Sequence, residues 1–116
     1  MHILIYGSKG WIGSQFLKCL SKKNTQYTIG IERCDNIEKL TQEIKTINPT
    51  HVISFIGRTH GTFEGKKYTT IDFLEQKGKV KENVRDNLFS PLVLAHICSL
   101  NKIHYTYLGT GCIFKF

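Results

Sequence analysis

Gly7, Gly10 and Gly13 punctuate the passage from an apolar run, Ile3-Leu4-Ile5-Tyr6, into a stretch patterned as a helix. The chemistry that this arrangement suits is anion binding. Gly7 permits a tight turn out of a strand, Gly10 lets the backbone come close to a pyrophosphate, and Gly13 lets the new helix pack against the strand. Free N–H groups at the helix start, at the positive end of its dipole, then face the phosphates. The first gap is one residue longer than in the commoner Gly-x-Gly-x-x-Gly pattern, so the position behind an apolar strand carries as much weight as the spacing. Near the other end, Leu108-Gly109-Thr110-Gly111-Cys112-Ile113-Phe114 sets a hydroxyl and a thiol side by side in a second glycine-rich strand end.

Such residues act only if secondary structure holds them, and the periodicity supplies it. A helix is expected over residues 11–22, with Ile12, Phe16, Leu17 and Leu20 as its apolar stripe and Cys19 within the pattern. A second strand follows at 27–31. Asp35 and Glu38 have the spacing of a capping box and open a helix through Ile37, Leu40, Ile44 and Ile47, ended by Pro49. Residues 51–56 read as the third strand, and 57–79 as the least regular part, with a short helix within 70–76. A long helix over 80–100 precedes a fourth strand at 104–108, and Pro91 predicts a kink with the carbonyl of Asn87 freed. Alternating strands and helices with short connections predict an α/β fold, a doubly wound parallel sheet of about four strands, as one domain over 1–116. The segment after the third strand then borders the ligand crevice of such a sheet.

Composition narrows the function classes. The 116 residues are 41% hydrophobic and 22% charged, with a formal net charge of +7. The lysines are scattered, only 66–81 is locally basic, and no nucleic-acid recognition motif accompanies them, so direct nucleic-acid binding is not expected. A basic rim equally suits a phosphorylated nucleotide. No run approaches the ~18 apolar residues that cross a bilayer, which points away from a membrane and towards the cytoplasm. Cys19, Cys34, Cys98 and Cys112 form no Cys-x-x-Cys pair and have no matched His spacing, so neither a metal site nor a disulfide framework is expected.

The glycine turn with Trp11-Ile12, Pro49-Thr50-His51-Val52, the segment from Gly57 to Gly61, Glu82-Asn83-Val84 through Asn87, and Thr110-Gly111-Cys112-Ile113-Phe114 together resemble an extended short-chain dehydrogenase/reductase. The branch is the Rossmann-type nucleotide-sugar 3,5-epimerase/4-reductase that forms L-rhamnose from UDP-4-keto-6-deoxyglucose, similar to dTDP-4-dehydrorhamnose reductase and to the giant-virus form. The resemblance covers the amino-terminal part of that family. It implies that Gly7, Lys9, Gly10, Trp11, Ile12 and Gly13, with Gly57, Arg58, Thr59 and Asn87, border a nicotinamide cofactor. Arg33, just after the second strand, matches the residue that meets the 2′-phosphate of NADPH, as a guanidinium binding phosphate in a bidentate way can do. Glu32 keeps NADH open as the less favoured cofactor, because an acid there can hold the ribose 2′-hydroxyl.

Thr110 falls at the position that hydrogen-bonds the keto oxygen of the nucleotide-sugar substrate. Cys112 matches an acid/base partner in epimerisation, in which a proton leaves a carbon next to the ketone and returns on the other face. On this reading Cys112 alkylates faster than Cys19 and Cys98. The family also carries a Tyr-x-x-x-Lys pair, but none of Tyr6, Tyr27, Tyr68, Tyr105 and Tyr107 has a lysine four residues on. The expectation is a gene fragment, one half of a split gene with a separately encoded carboxy-terminal half, or a short non-catalytic nucleotide-binding module.

Overall fold

The computed structural model describes residues 1–109, in which strands and helices alternate along the chain. Strand β1 (His2–Tyr6) is the centre. Its residues Ile3, Leu4, Ile5 and Tyr6 are all buried, as a strand covered on both faces requires. Alternate side chains divide between two cores. Ile3 and Ile5 meet Leu20, with Phe16 and Leu17, on α1 (Trp11–Lys22). Leu4 and Tyr6 meet Leu40 and Ile44 on α2 (Ile37–Ile47) and Val93, Leu94, Ile97 and Cys98 on α4 (Ser90–Leu100).

β2 (Gln26–Ile29), β3 (His51–Ser54) and β6 (His104–Tyr107) complete a parallel sheet in the order β2-β1-β3-β6. The chain steps outward from β1 to β2, then crosses to β3 on the other side. The direction of winding therefore reverses between β1 and β3, and the carboxyl ends of those two strands part to leave a crevice. A hairpin of β4 (Gly61–Phe63) and β5 (Lys66–Tyr68) and a 3-10 turn (Ile71–Glu75) fill the irregular segment. Buried Phe73 anchors it beneath Gly61, where any Cβ would strike the Phe73 ring.

Four local expectations are corrected. β2, β3 and β6 end earlier than their apolar runs, because the backbone turns into the loops that form the crevice. The cap of α2 is Asn36, whose side chain accepts the Lys39 N–H at 3.2 Å, and not Asp35, whose carboxylate is taken by Arg33. Ile12 is 44% exposed although it falls on the helical stripe, since the first turn of α1 stands over the crevice and not over the sheet. Cys19 is exposed, whereas Cys34 and Cys98 are buried. Burial pushes the thiol of Cys34 up to about 12 and that of Cys98 up to about 11, so Cys19 is the accessible thiol among the described residues.

The long helix is continuous but not uniform. α3 (Val80–Val84) passes through a π turn (Arg85–Phe89) into α4. The Ser90 N–H reaches the Arg85 carbonyl, and the Ser90 hydroxyl donates to the same oxygen at 2.8 Å. Pro91, which has no N–H to donate, follows directly on that turn in the first turn of α4. The distortion expected at Pro91 is this π turn. Among the described residues no helix is long and apolar enough to cross a membrane.

Fully buried Ile44 and half-exposed Ile12 give the packing a direct test by urea denaturation. Ile44→Ala is expected to cost ~2–5 kcal/mol. Ile12→Ala is expected to change stability by no more than ~0.5 kcal/mol.

Candidate functional site

The crevice has three walls, each set by a different local device. The first is the turn out of β1. Gly7 takes φ +77°, a region that other residues adopt only under strain, and a Cβ there would come within 2.7 Å of the Phe55 and Ile56 backbone. A Cβ on Gly13 would collide with the backbone of Gly7 and Ser8. Both glycines are therefore demanded by the close seating of α1 against the end of β1.

Gly10 is different. Its φ is −71°, and the nearest atom to a Cβ there would be the Gly7 carbonyl oxygen at an ordinary 3.5 Å. Nothing among the described residues requires a glycine at this position, which is the cap of α1 and offers no side chain to its first-turn N–H groups. Those donors face the crevice together with the positive end of the helix dipole.

The second wall is the loop after β2, pinned from α2 by Glu43. Its carboxylate accepts the Tyr6 hydroxyl at 2.8 Å, the Ile31 N–H at 2.7 Å and the Glu32 N–H at 3.2 Å. Gly30 lies so close to the Tyr6 ring that a Cβ would overlap it. Held this way, the loop presents Arg33, whose Nε donates to Asp35 Oδ1 at 3.0 Å and whose guanidinium stays largely exposed. Arg33 holds the Asp35 carboxyl below the usual carboxylate range, and the hydrogen bond raises Arg33 in turn.

The third wall is the segment after β3, braced by the helix opposite. The Arg58 N–H donates to Asn87 Oδ1 at 2.8 Å, and Asn87 Nδ2 donates to the Arg58 carbonyl and to Asn83 Oδ1, each at 2.9 Å. The Asn87 amide thus positions residues 57–59. Beside it, Asp86 is gripped by Arg85, Nε to Oδ1 at 2.8 Å, and by Arg58, Nε to Oδ2 at 2.8 Å. The hydrogen bond from Arg85, then that from Arg58, draws the Asp86 carboxyl below its ordinary range against the opposing effect of burial.

These walls enclose three adjoining cavities. One lies over Gly10, Trp11, Ile12 and Gly13 and reaches Gly57 and Thr59. A second, sharing Ile56 with it, is lined by Gly7, Arg33, Asp35, Asp86 and Ser90. The third, joined through Thr59, is lined by Arg58, Asn83, Asn87 and Tyr107. Every cofactor position expected within the described residues borders this groove except Lys9, which is exposed on the turn. Thr110 and Cys112 lie outside the described residues. Glu43, Arg85 and Asp86 went unnoticed in the sequence because charged residues within helices read as solvated surface. Among the described residues no group of three or more His, Cys, Asp or Glu is placed to hold a metal ion.

The wound sheet, the glycine turn and the crevice at its switch point define a Rossmann-type fold. No protein-family model matches the chain. The chain is 52% identical to the UDP-rhamnose synthase of Acanthamoeba polyphaga mimivirus, whose crystal structure superposes with a TM-score of 0.93 over 100% of this chain and 39% of that one. It is 32% identical over 116 residues to the trifunctional UDP-glucose 4,6-dehydratase/UDP-4-keto-6-deoxy-D-glucose 3,5-epimerase/UDP-4-keto-L-rhamnose-reductase of Arabidopsis thaliana, of which it covers 16%. The fold also matches the dTDP-4-dehydrorhamnose reductase of Bacillus anthracis solved with NADP, at 18% identity and a TM-score of 0.71 over 90% of this chain and 34% of that one. The chain spans 38% of the length of the mimivirus protein, a good deal less than half of this relative.

Two measurements check the site's construction. Gly13→Val is expected to unfold the chain or lower its melting temperature sharply, while Gly10→Ala is expected to cost about 1 kcal/mol or less in thermal denaturation. The depressed Asp86 carboxyl makes a stabilising contribution that is fully present above about pH 4 and is lost as pH falls through the folded-state value. Urea midpoints followed from pH 7 to pH 2 are expected to fall less steeply below pH 4 in Asp86→Asn than in the unmodified chain.

Proposed function

We propose that the groove holds a nicotinamide dinucleotide, NADPH in preference to NADH, as the cofactor-binding part of a nucleotide-sugar 3,5-epimerase/4-reductase acting on UDP-4-keto-6-deoxyglucose. The observation that carries this reading is Gly10. Among the described residues it is the one glycine of the turn that packing does not require, and it stands where the N–H groups of α1 open onto the crevice. A pyrophosphate there would need a bare backbone, and a Cβ would stand in its way.

Arg33 supports the choice of NADPH. It stands on a pinned loop beside the cavity that Gly7 also lines, and its guanidinium is free enough to meet a 2′-phosphate. Glu32 lines the same cavity, which is why NADH belongs in the same measurement. When bound, the cofactor supplies the hydride for reduction at C4 of the sugar. In this reading Thr110 orients the C4 keto oxygen, and Cys112 exchanges a proton at the carbons that this ketone acidifies. No tyrosine of the sequence has a lysine four positions on, so cofactor binding and substrate orientation are assigned to these residues and protonation of the C4 oxygen is not. The substrate's nucleotide is assigned to the portion of the relatives that this chain does not span.

Calorimetric titration tests the reading. NADPH is expected to bind about tenfold or more tightly than NADH, the worth of one charge-assisted hydrogen bond. Gly10→Val is expected to abolish binding of both while the chain stays folded. Failure of both cofactors to bind the unmodified chain would overturn the reading.

A further inference from the structure

The amino ends of the strands, at the opposite end of the sheet from the crevice, bring together two histidines that the groove does not use. His51 opens β3 and His104 opens β6, and the parallel register sets them directly side by side. Both fall on the face that Ile3 and Ile53 present to α1, because alternate residues of a strand share a face. The two ring centres are 5.2 Å apart, with the planes tilted by 51°. His51 is half-buried and His104 is exposed, so water reaches the pair. His2, on β1, has the opposite parity, and its ring is engaged with the Thr28 hydroxyl at 2.7 Å. No ligand spacing announces the pair in the sequence, since strand register and not chain proximity makes it.

Ring spacing by itself does not separate a metal site from an ordinary tilted ring pair. Zn–N bonds of ~2.0–2.1 Å at a tetrahedral angle hold two imidazole centres roughly 5 Å apart, but aromatic pairs share that distance. Thr50 decides between them. Its hydroxyl donates its one hydrogen to the His2 carbonyl at 3.1 Å and accepts the His2 N–H at 2.9 Å. His51 Nδ1 lies 2.8 Å from the same oxygen. With the hydroxyl hydrogen already spent, the oxygen can only accept from the ring, so Nδ1 carries the proton and Nε2 keeps a bare lone pair. A metal-ligating histidine is built in this way: one ring nitrogen gives its N–H to a neighbouring oxygen, which fixes the ring and its tautomer, and the other is left to bind. His104 stands beside it with an exposed ring that can turn its own lone pair to the same point.

We propose that His51 and His104 form a site for a divalent transition-metal cation of the zinc type, clasping the amino ends of β3 and β6. Water fills the remaining coordination positions, because the pair supplies two protein ligands and is open to solvent. Imidazole nitrogen suits zinc, nickel and copper, whereas magnesium and calcium take oxygen ligands. Thr50 is the positioning residue, acting on the metal only through the tautomer and orientation of His51. The site lies at the far end of the sheet from the glycine turn and stands independently of the cofactor reading.

Calorimetric titration with Zn²⁺ and with Mg²⁺ is the test, with circular dichroism spectra of each variant run alongside. The unmodified chain is expected to bind Zn²⁺ and not Mg²⁺. His51→Asn and His104→Asn are each expected to remove one equivalent of bound Zn²⁺, while His96→Asn and Cys19→Ser retain it. Thr50→Val is expected to weaken that equivalent by about tenfold to a hundredfold, and Thr50→Ser, which keeps the hydroxyl, to hold it within about twofold of the unmodified chain. Amide chemical-shift mapping with Zn²⁺ needs no variant, and the first shifts are expected at residues 50–52 and 103–105. Absence of Zn²⁺ binding by the unmodified chain would overturn the proposal. So would a Zn²⁺ isotherm unchanged in either histidine variant, or first shifts that leave both histidines unmoved.

Discussion

The seating of α1 against the end of β1 is the contact on which the rest of the structure depends. Gly13 lies so close to the backbone of Gly7 and Ser8 that no side chain fits between them, and Gly7 in turn abuts the chain leaving β3. This one close approach fixes three things at once. It sets the direction of α1, brings its N–H groups to the mouth of the sheet, and places residues 55–57 beside them. A larger residue at either glycine would move the helix off the strand and remove the floor of the groove.

Around that fixed point the loops are held by side chains from the helices and not by their own sequence. Glu43 on α2 gathers the Tyr6 hydroxyl and two loop N–H groups, and Asn87 on the long helix holds both the N–H and the carbonyl of Arg58. A carboxylate accepting several donors and an amide spending both of its own leave little freedom in the segments they brace. The crevice is therefore shaped before any ligand enters, which lowers the ordering cost of binding. The residues doing the bracing lie far in sequence from the loops they hold, by as much as 29 positions for Asn87 and Arg58.

The sequence was legible where one local signal dominated. The bounds expected for α1 are those observed, because an apolar stripe of helical period begins directly after the glycine turn. The parallel sheet and its helices followed from the alternation of apolar runs. Legibility failed where tertiary partners decided the outcome. Asp35 and Asn36 are both good helix caps, and the choice fell to Asn36 because Arg33 claims the Asp35 carboxylate. Ile12 fits the stripe by period but stands at the end of the helix that overhangs the crevice. Pro91 announced a distortion, yet its form, a π turn in which the Ser90 N–H and hydroxyl both meet the Arg85 carbonyl, is one that ordinary helical counting does not include. The strand order, and with it the place of the groove, emerges only when β3 crosses to the far side of β1.

The central claim is that a dinucleotide lies along this one groove, from the turn out of β1 to the helix at Asp86 and Ser90. Amide chemical-shift mapping of the isotope-labelled chain during titration with NADPH tests it most directly. The account predicts that the largest shifts fall on residues 7–13, 30–35, 56–60 and 85–90, four stretches distant in sequence that meet only at the carboxyl ends of β1 and β3. Shifts centred instead on the β4 and β5 hairpin or on the outer face of α2, with the glycine turn unmoved, would contradict it.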